Sequence, residues 1–124
     1  MFEKHRMVLA MAACVLLAPA HAGAQTFAIH CAEPSHQWTE YDFTIDTQAG
    51  SVSYTWSGRT VSPQAQITAQ SIDWTLNDNS PPVPGSQTFH IDRTSGVMQT
   101  DWNFPGAAHP TGSVTYRCTK DQGF

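Results

Sequence analysis

The sequence predicts a small all-β domain, most simply an up-and-down antiparallel β-barrel of about eight strands with its ends joined by one disulfide. Three observations support this prediction: short runs in which apolar and polar residues alternate, one hairpin pattern that occurs twice, and two cysteines near the ends of the chain that follows residue 24. No helical periodicity of useful length appears in that part of the sequence. A two-sheet β-sandwich is the alternative architecture that the same patterns allow.

The first 24 residues have the features of a secretory signal peptide. Two basic residues precede an apolar run, Met7–Ala18, and small residues in an Ala-x-Ala pattern follow it. The run is shorter than the roughly 20 apolar residues needed to cross a bilayer. We therefore expect cleavage before Gly23 or Gln25, export to the periplasm or the medium, a single all-β domain over 25–124, and no membrane insertion after cleavage.

Charge limits the class of partner. The chain after residue 24 contains nine acidic and four basic side chains and has a net charge of −5 when its histidines are neutral. An acidic surface repels the phosphates of nucleic acids and of anionic lipids. We therefore expect no nucleic-acid partner, and a basic protein is the partner type that this charge favours.

Cys31 and Cys118 are the two cysteines that remain after signal removal. An exported chain reaches an oxidising compartment, in which such a pair normally forms a disulfide. A metal site made from these thiols with His30 and His36 is the alternative, but the chain lacks the C-x-x-C spacing that would support it. We therefore predict a disulfide, no metal and no cofactor.

The strand predictions follow the alternation along the chain. They are Thr26–Ala32, Glu40–Asp46, Ser51–Trp56, Gln64–Ala69, Ser71–Leu76, two strands within Thr88–Trp102, and Ser113–Thr119. Both cysteines have the inward parity of the first and last strands. A disulfide between them would place these strands side by side and close the meander into a barrel.

One hairpin design is used twice. Asp46 and Gly50 of the first hairpin recur as Asp92 and Gly96 of the second, with apolar residues at matching places on both sides. A carboxylate before a turn accepts hydrogen bonds from the turn amides, so we expect a structural role for both aspartates rather than a catalytic one.

Aromatic residues dominate the inward positions. Trp56, Trp74 and Trp102 share this parity, and the repeat predicts that Trp56 and Trp102 are shielded to the same degree. Bulky rings fill the interior of a small barrel, and a cavity for a small ligand is the alternative.

The connections predict where binding occurs. Short ones, at 47–50, 69–71 and 93–96, fall at one end of a meander, whereas longer ones, at 33–39, 57–63, 77–87 and 103–112, fall at the other. The candidate partner-binding residues at the long-loop end are His36, Trp38, Arg59, Asp78 and His109.

Catalytic motifs are missing from the sequence. It contains no G-x-S-x-G, no H-E-x-x-H and no glycine-rich phosphate loop. We therefore predict a non-catalytic binding or interaction domain of the cell envelope, with no catalytic residues.

Two short stretches resemble motifs of the periplasmic inhibitors of C-type lysozymes, which are small, exported, disulfide-bonded β-barrels. Ser57-Gly58 matches the start of that family's Ser-Gly-x-x-Tyr loop, although Val61 stands where its tyrosine belongs. Tyr116 and Thr119-Lys120 match its C-terminal motif at a shorter spacing, with Asp121 in place of glycine. The resemblance implies inhibition of a secreted hydrolase such as lysozyme, a basic protein. It does not assign the chain to that family.

Overall fold

The structure is a computed structural model that describes residues 25–79 and 83–120. The predicted signal peptide, 1–24, lies outside the described residues. Every element of regular secondary structure within these residues is a β-strand. The nine strands there are β1 Thr26–Ala32, β2 Tyr41–Asp46, β3 Ser51–Trp56, β4 Arg59–Val61, β5 Gln66–Ile67, β6 Ser71–Asp78, β7 Gly85–Asp92, β8 Val97–Asn103 and β9 Thr111–Lys120.

All nine strands belong to a single antiparallel sheet in the order β4-β3-β2-β1-β9-β8-β7-β6-β5. The predicted all-β meander with adjacent first and last strands is confirmed, and the two-sheet sandwich is wrong. The count of about eight strands misses β4, which lies inside the segment 57–63 that the sequence predicted to be a loop. The predicted strand over 64–69 is reduced to the two residues of β5.

The disulfide joins the ends as predicted. Cys31 of β1 faces Cys118 of β9, with their Cα atoms 4.0 Å apart. The bond cross-links two strands that are also hydrogen-bonded neighbours. Because the other strands follow one another in sequence between these two, the sheet must curl.

The curled sheet is a half-barrel with a seam between β4 and β5, the two edge strands. At one end, residues 63–65 bridge the seam, since the Val52 amide donates to the Pro63 carbonyl (3.1 Å) and the Ala65 amide to that of Gly50 (2.8 Å). At the other end, Trp56 Nε1 donates to Asp78 Oδ2 at 3.1 Å. The edges are therefore short and tied together.

The concave face holds the core in two layers. Aliphatic side chains fill the end with the tight turns: Ile45, Val52, Ile72, Ile91 and Met98 are completely buried. Aromatic side chains form the next layer, in which Trp74 stacks on Phe89 with ring centroids 4.7 Å apart. Trp74 Nε1 donates to the Tyr54 hydroxyl at 3.1 Å, so the polar edge of this buried indole is satisfied.

The two repeated hairpins have the same turn geometry. Asp46 Oδ1 accepts the amides of Gln48 (3.0 Å) and Ala49 (2.9 Å), and Asp92 Oδ1 accepts the amides of the two equivalent residues. Gly50 and Gly96 close the turns at φ values of 69° and 76°, in the left-handed region. These glycines and aspartates set the register of both hairpins.

Burial matches between the hairpins, but not completely. Ile45 and Ile91 are both fully buried, as expected from the repeat. Trp56 and Trp102 match each other, as the repeat predicts, but both are only half-buried, so their shielding is less complete than expected for inward positions. The reason is that both lie near the end of the half-barrel that carries the long loops.

Replacing Gly50 or Gly96 by alanine should lower the free energy of unfolding by about 1–2 kcal/mol, the cost of a left-handed conformation for an L-residue. Asparagine at the same positions should cost less, because it enters this region more readily. Urea unfolding of the oxidised protein would measure both effects.

Gly106→Ala is the matched control, since Gly106 has no positive φ and its added Cβ would lie an ordinary 3.7 Å from Val83 Cγ1. Equal losses for all three glycines would contradict the assigned role of the turns.

Candidate functional site

The long-loop end of the half-barrel opens into a cleft of about 490 Å³, here called the mouth. Its floor and walls come from inward positions of four strands and from three loops. The strands contribute Tyr41, Gln87, Thr100, Trp102, Val114 and Tyr116, and the loops contribute Trp38, Thr39, Val83, Phe104, Ala107 and His109. Most of this lining is apolar or aromatic.

The mouth exists because small residues occupy inward positions of two neighbouring strands. Thr100 of β8 pairs with Val114 of β9, and Trp102 of β8 pairs with Gly112 of β9. The indole of Trp102 lies across Gly112, where an added Cβ would come within 2.1 Å of Trp102 Cζ2. Glycine is therefore required at this position for the ring to form the wall of the mouth.

Trp38 forms the outer part of the same wall. It is 47% exposed, the one large hydrophobic side chain that stands out in solvent among the described residues. Its ring centroid lies 5.6 Å from that of Trp102, and the two ring planes are tilted by 43°. The two indoles together present a continuous aromatic surface at the rim.

The loop that carries Trp38 is held by its own hydrogen bonds. The Glu33 carboxylate accepts the backbone amides of Ser35 (2.6 Å) and Gln37 (3.3 Å), and His36 adopts a left-handed φ of 59°. Hydrogen bonds from Ser35 hold the pKa of Glu33 below its usual value. This ionised carboxylate therefore fixes the turn that presents the indole.

The loop between β8 and β9 is also internally bonded. Trp102 Nε1 donates to the carbonyl of His109 at 3.3 Å, and the Phe104 amide donates to the carbonyl of Pro110 at 2.7 Å. Both loops that form the rim are thus anchored before anything binds, which lowers the entropy that binding would cost.

The floor of the mouth is polar but neutral. The Tyr41 hydroxyl is hydrogen-bonded to the side chains of Gln87 and Tyr116, and the Thr100 hydroxyl donates to the carbonyl of Val114 at 3.3 Å. Burial raises the pKa of both tyrosines, so both hydroxyls stay protonated. These polar groups therefore interact with one another and with the backbone, and none of them carries a charge.

The five candidate partner-binding residues do not form one site. Trp38 and His109 line the mouth. Arg59 Nη2 lies 3.8 Å from Asp78 Oδ1 at the seam, beside Trp56, and neither side chain lines the mouth. His36 is exposed and its Nδ1 lies 3.4 Å from Glu40 Oε2.

The other mouth residues were missed as a site, although a signal for some of them existed. Tyr41 and Trp102 were predicted to face inward, and both lie at strand ends next to long loops. An inward aromatic residue at such a position is a candidate for the rim of an opening as well as for the core. Tyr116 shares the inward parity of Cys118, whereas nothing in the local pattern pointed to Gln87 or Val83.

His30 anchors the end of the Trp38 loop from the outer face of the sheet. Its Nδ1 lies 2.7 Å from Asp42 Oδ1 and its Nε2 lies 2.9 Å from Glu40 Oε1. The hydrogen bond to Asp42 raises the pKa of His30 above its ordinary value, and the bond to Glu40 contributes further. Protonated His30 thus links β1 to the residue that ends this loop.

The residues that carry the resemblance to the lysozyme inhibitors lie apart in the sheet. Ser57 and Gly58 form the tight turn between β3 and β4, with φ values of 51° and 77°. Tyr116 is buried in β9, and Lys120 at the end of that strand lies over the ring of Phe27, 4.4 Å from its centroid.

Metal-binding clusters and membrane-spanning helices are both absent from the residues that the structure describes. No group of three or more His, Cys, Asp or Glu side chains there is arranged to hold a metal ion. Within the same residues, no helix has the length and apolar character needed to span a membrane.

Comparison with known proteins gives no relative. No protein family model matches the chain, and no curated protein sequence or solved structure matches it significantly.

Gly112→Ala should displace the Trp102 indole and close part of the mouth, because the added Cβ would overlap that ring. We expect a loss of about 1–3 kcal/mol in the free energy of unfolding, as for other overpacked sites. In NMR spectra the indole N–H signals of Trp102 and Trp38 should shift, whereas that of Trp74 in the core should not. Unchanged Trp102 and Trp38 signals would contradict this account of the wall.

Raising the pH should remove the stabilisation that protonated His30 provides. Because the folded-state pKa of His30 is raised, its contribution is complete below the unfolded pKa of about 6.5 and is lost as pH rises through the folded-state value. The effect should not exceed about 1 kcal/mol, since these ion pairs are exposed.

The measurement is the difference in unfolding free energy between the unaltered protein and His30→Gln at several pH values. Comparing the two proteins at the same pH isolates the contribution of position 30. A difference that does not shrink with rising pH would contradict the role of His30.

Proposed function

We propose that this protein is a non-catalytic binding domain that engages its partner through the mouth. The observation that carries the proposal is Trp38, a half-exposed indole held by a bonded loop above an apolar cleft. Tryptophan is enriched among the residues that contribute most to binding free energy, and preorganised loops lower the cost of association.

Charge favours a basic protein as that partner. The loop between β1 and β2 contains Glu33 and Glu40, and Arg59, the first residue of β4 at the same end, lies 3.8 Å from the carboxylate of Asp78. Complementary charges accelerate association and discriminate between partners. A C-type lysozyme is one suitable basic probe, and inhibition of such an enzyme would be a special case of this function.

The location that we propose is the periplasm or the extracellular medium. The Cys31–Cys118 disulfide fits an oxidising compartment, because cytosolic proteins of ordinary organisms rarely keep such bonds. The signal-peptide pattern of the first 24 residues supports the same location.

A second candidate function is the binding of a small ligand in the mouth. Its volume of about 490 Å³ lies within the range of small-molecule sites, and such sites are usually apolar with a few polar groups.

A pair of glutamines tests the location of partner binding. Gln37 adjoins Trp38, whereas Gln48 lies in the tight turn between β2 and β3, and both are exposed. A photo-reactive benzoylphenylalanine at position 37 should cross-link a basic partner in cell-envelope extract, and the same residue at position 48 should not. Adding Trp38→Ala to the position-37 probe should reduce the yield at least fivefold.

Cross-links that form mainly from position 48 would contradict the proposed location. Yields at position 37 that are insensitive to Trp38→Ala, in a variant that folds normally by circular dichroism, would contradict the role of the indole.

A further inference from the structure

We infer that the mouth binds a small organic cation, an ammonium group that carries methyl or other apolar substituents. The inference rests on the second candidate function, binding of a small ligand in the mouth, and specifies the chemical class of that ligand. Three properties of the mouth support it: its aromatic surfaces, the sign of its charge and the saturation of its polar groups.

The aromatic surfaces offer several ring faces to one ligand. Trp38 and Trp102 form the wall, with centroids 5.6 Å apart, and Tyr41 and Tyr116 lie on the floor, with centroids 5.5 Å apart. A cation over an aromatic face is attracted by the ring quadrupole, and tryptophan gives the strongest attraction. Because Tyr41 and Tyr116 are buried and Trp38 is 47% exposed, a ligand would contact mainly the indoles of the wall.

The charge around the mouth opposes anions and favours cations. None of the described residues that line it is Lys or Arg. Glu33 lies in the loop that carries Trp38, and its carboxylate accepts the amides of Ser35 and Gln37. Glu40 ends the same loop and pairs with His30 on the outer face of the sheet.

The polar groups of the floor argue against a ligand rich in hydroxyls. Tyr41, Gln87 and Tyr116 are bonded to one another, and the Thr100 hydroxyl is bonded to the backbone. A sugar would lose its hydrogen bonds to water and find few replacements in this lining. A quaternary ammonium group has no N–H to donate, so it loses no donated hydrogen bond on leaving water and gains the contact with the rings.

Three soluble molecules of nearly the same shape provide the test. They are choline, which is a cation; 3,3-dimethylbutan-1-ol, which replaces its nitrogen by carbon and is neutral; and 3,3-dimethylbutanoate, which is an anion. Titration at low salt, followed by the NMR signals of the indole N–H groups, should show choline binding at least tenfold more tightly than the alcohol, and the alcohol more tightly than the anion.

The shifts should be largest at Trp38 and Trp102, with Trp74 as the internal control. Trp38→Ala should weaken choline binding at least fivefold, whereas Gln48→Ala should leave it unchanged. Added salt should reduce the preference for the cation over the alcohol.

Equal affinity for choline and the alcohol at the mouth would overturn the inference about charge and leave small-ligand binding intact. Perturbation only outside the mouth, or no perturbation by any of the three molecules, would overturn the inference itself. Neither result affects binding of a basic protein, which the cross-linking at positions 37 and 48 decides separately.

Discussion

The pairing of β1 with β9, locked by the Cys31–Cys118 disulfide, is the constraint on which the rest of the structure depends. In a chain-entropy description, closing a loop with a sequence separation of 87 stabilises the fold by up to about 4–5 kcal/mol. The same pairing also determines the shape of the sheet. A meander whose first and last strands are neighbours cannot stay flat, so its inward residues converge on one concave core and its free edges are limited to the short strands β4 and β5.

The pairing of β1 with β9 also positions two parts of the mouth, the loop that carries Trp38 and the strand that carries Trp102. Ala32 pairs with Arg117, and the pairing of β1 with β9 is antiparallel. The loop after β1 therefore leaves the sheet beside β9, and the other neighbour of β9 is β8, which carries Trp102. Trp102 pairs with Gly112 of β9. The pairing of β1 with β9 thus places the loop that carries Trp38 next to the two strands that carry Trp102 and Gly112.

Much of the fold could be predicted because its determinants are local or nearly so. Period-two alternation located most strands, and the repeated Asp46–Gly50 and Asp92–Gly96 turns are read from a few adjacent residues. The three residues of β4 are too few to show alternation, so the strand was not predicted.

The mouth could not be predicted from local pattern either, because it depends on which residues face one another. The cavity needs Gly112 opposite Trp102, and that pairing joins strands whose register the sequence pattern does not specify.

The division of the concave face into layers explains how the fold can tolerate an incompletely filled end. Aliphatic and aromatic residues close to the tight turns are fully buried and provide most of the hydrophobic stabilisation. The wall at the other end is set by Gly112 and by bonded loops, so it does not need a packed interior to keep its shape. Trp38 remains partly in water, and each Å² of its apolar surface that a ligand covers would recover about 25 cal/mol. The packed base and the internally bonded loops thus keep the fold stable while the indole of Trp38 stays partly in water.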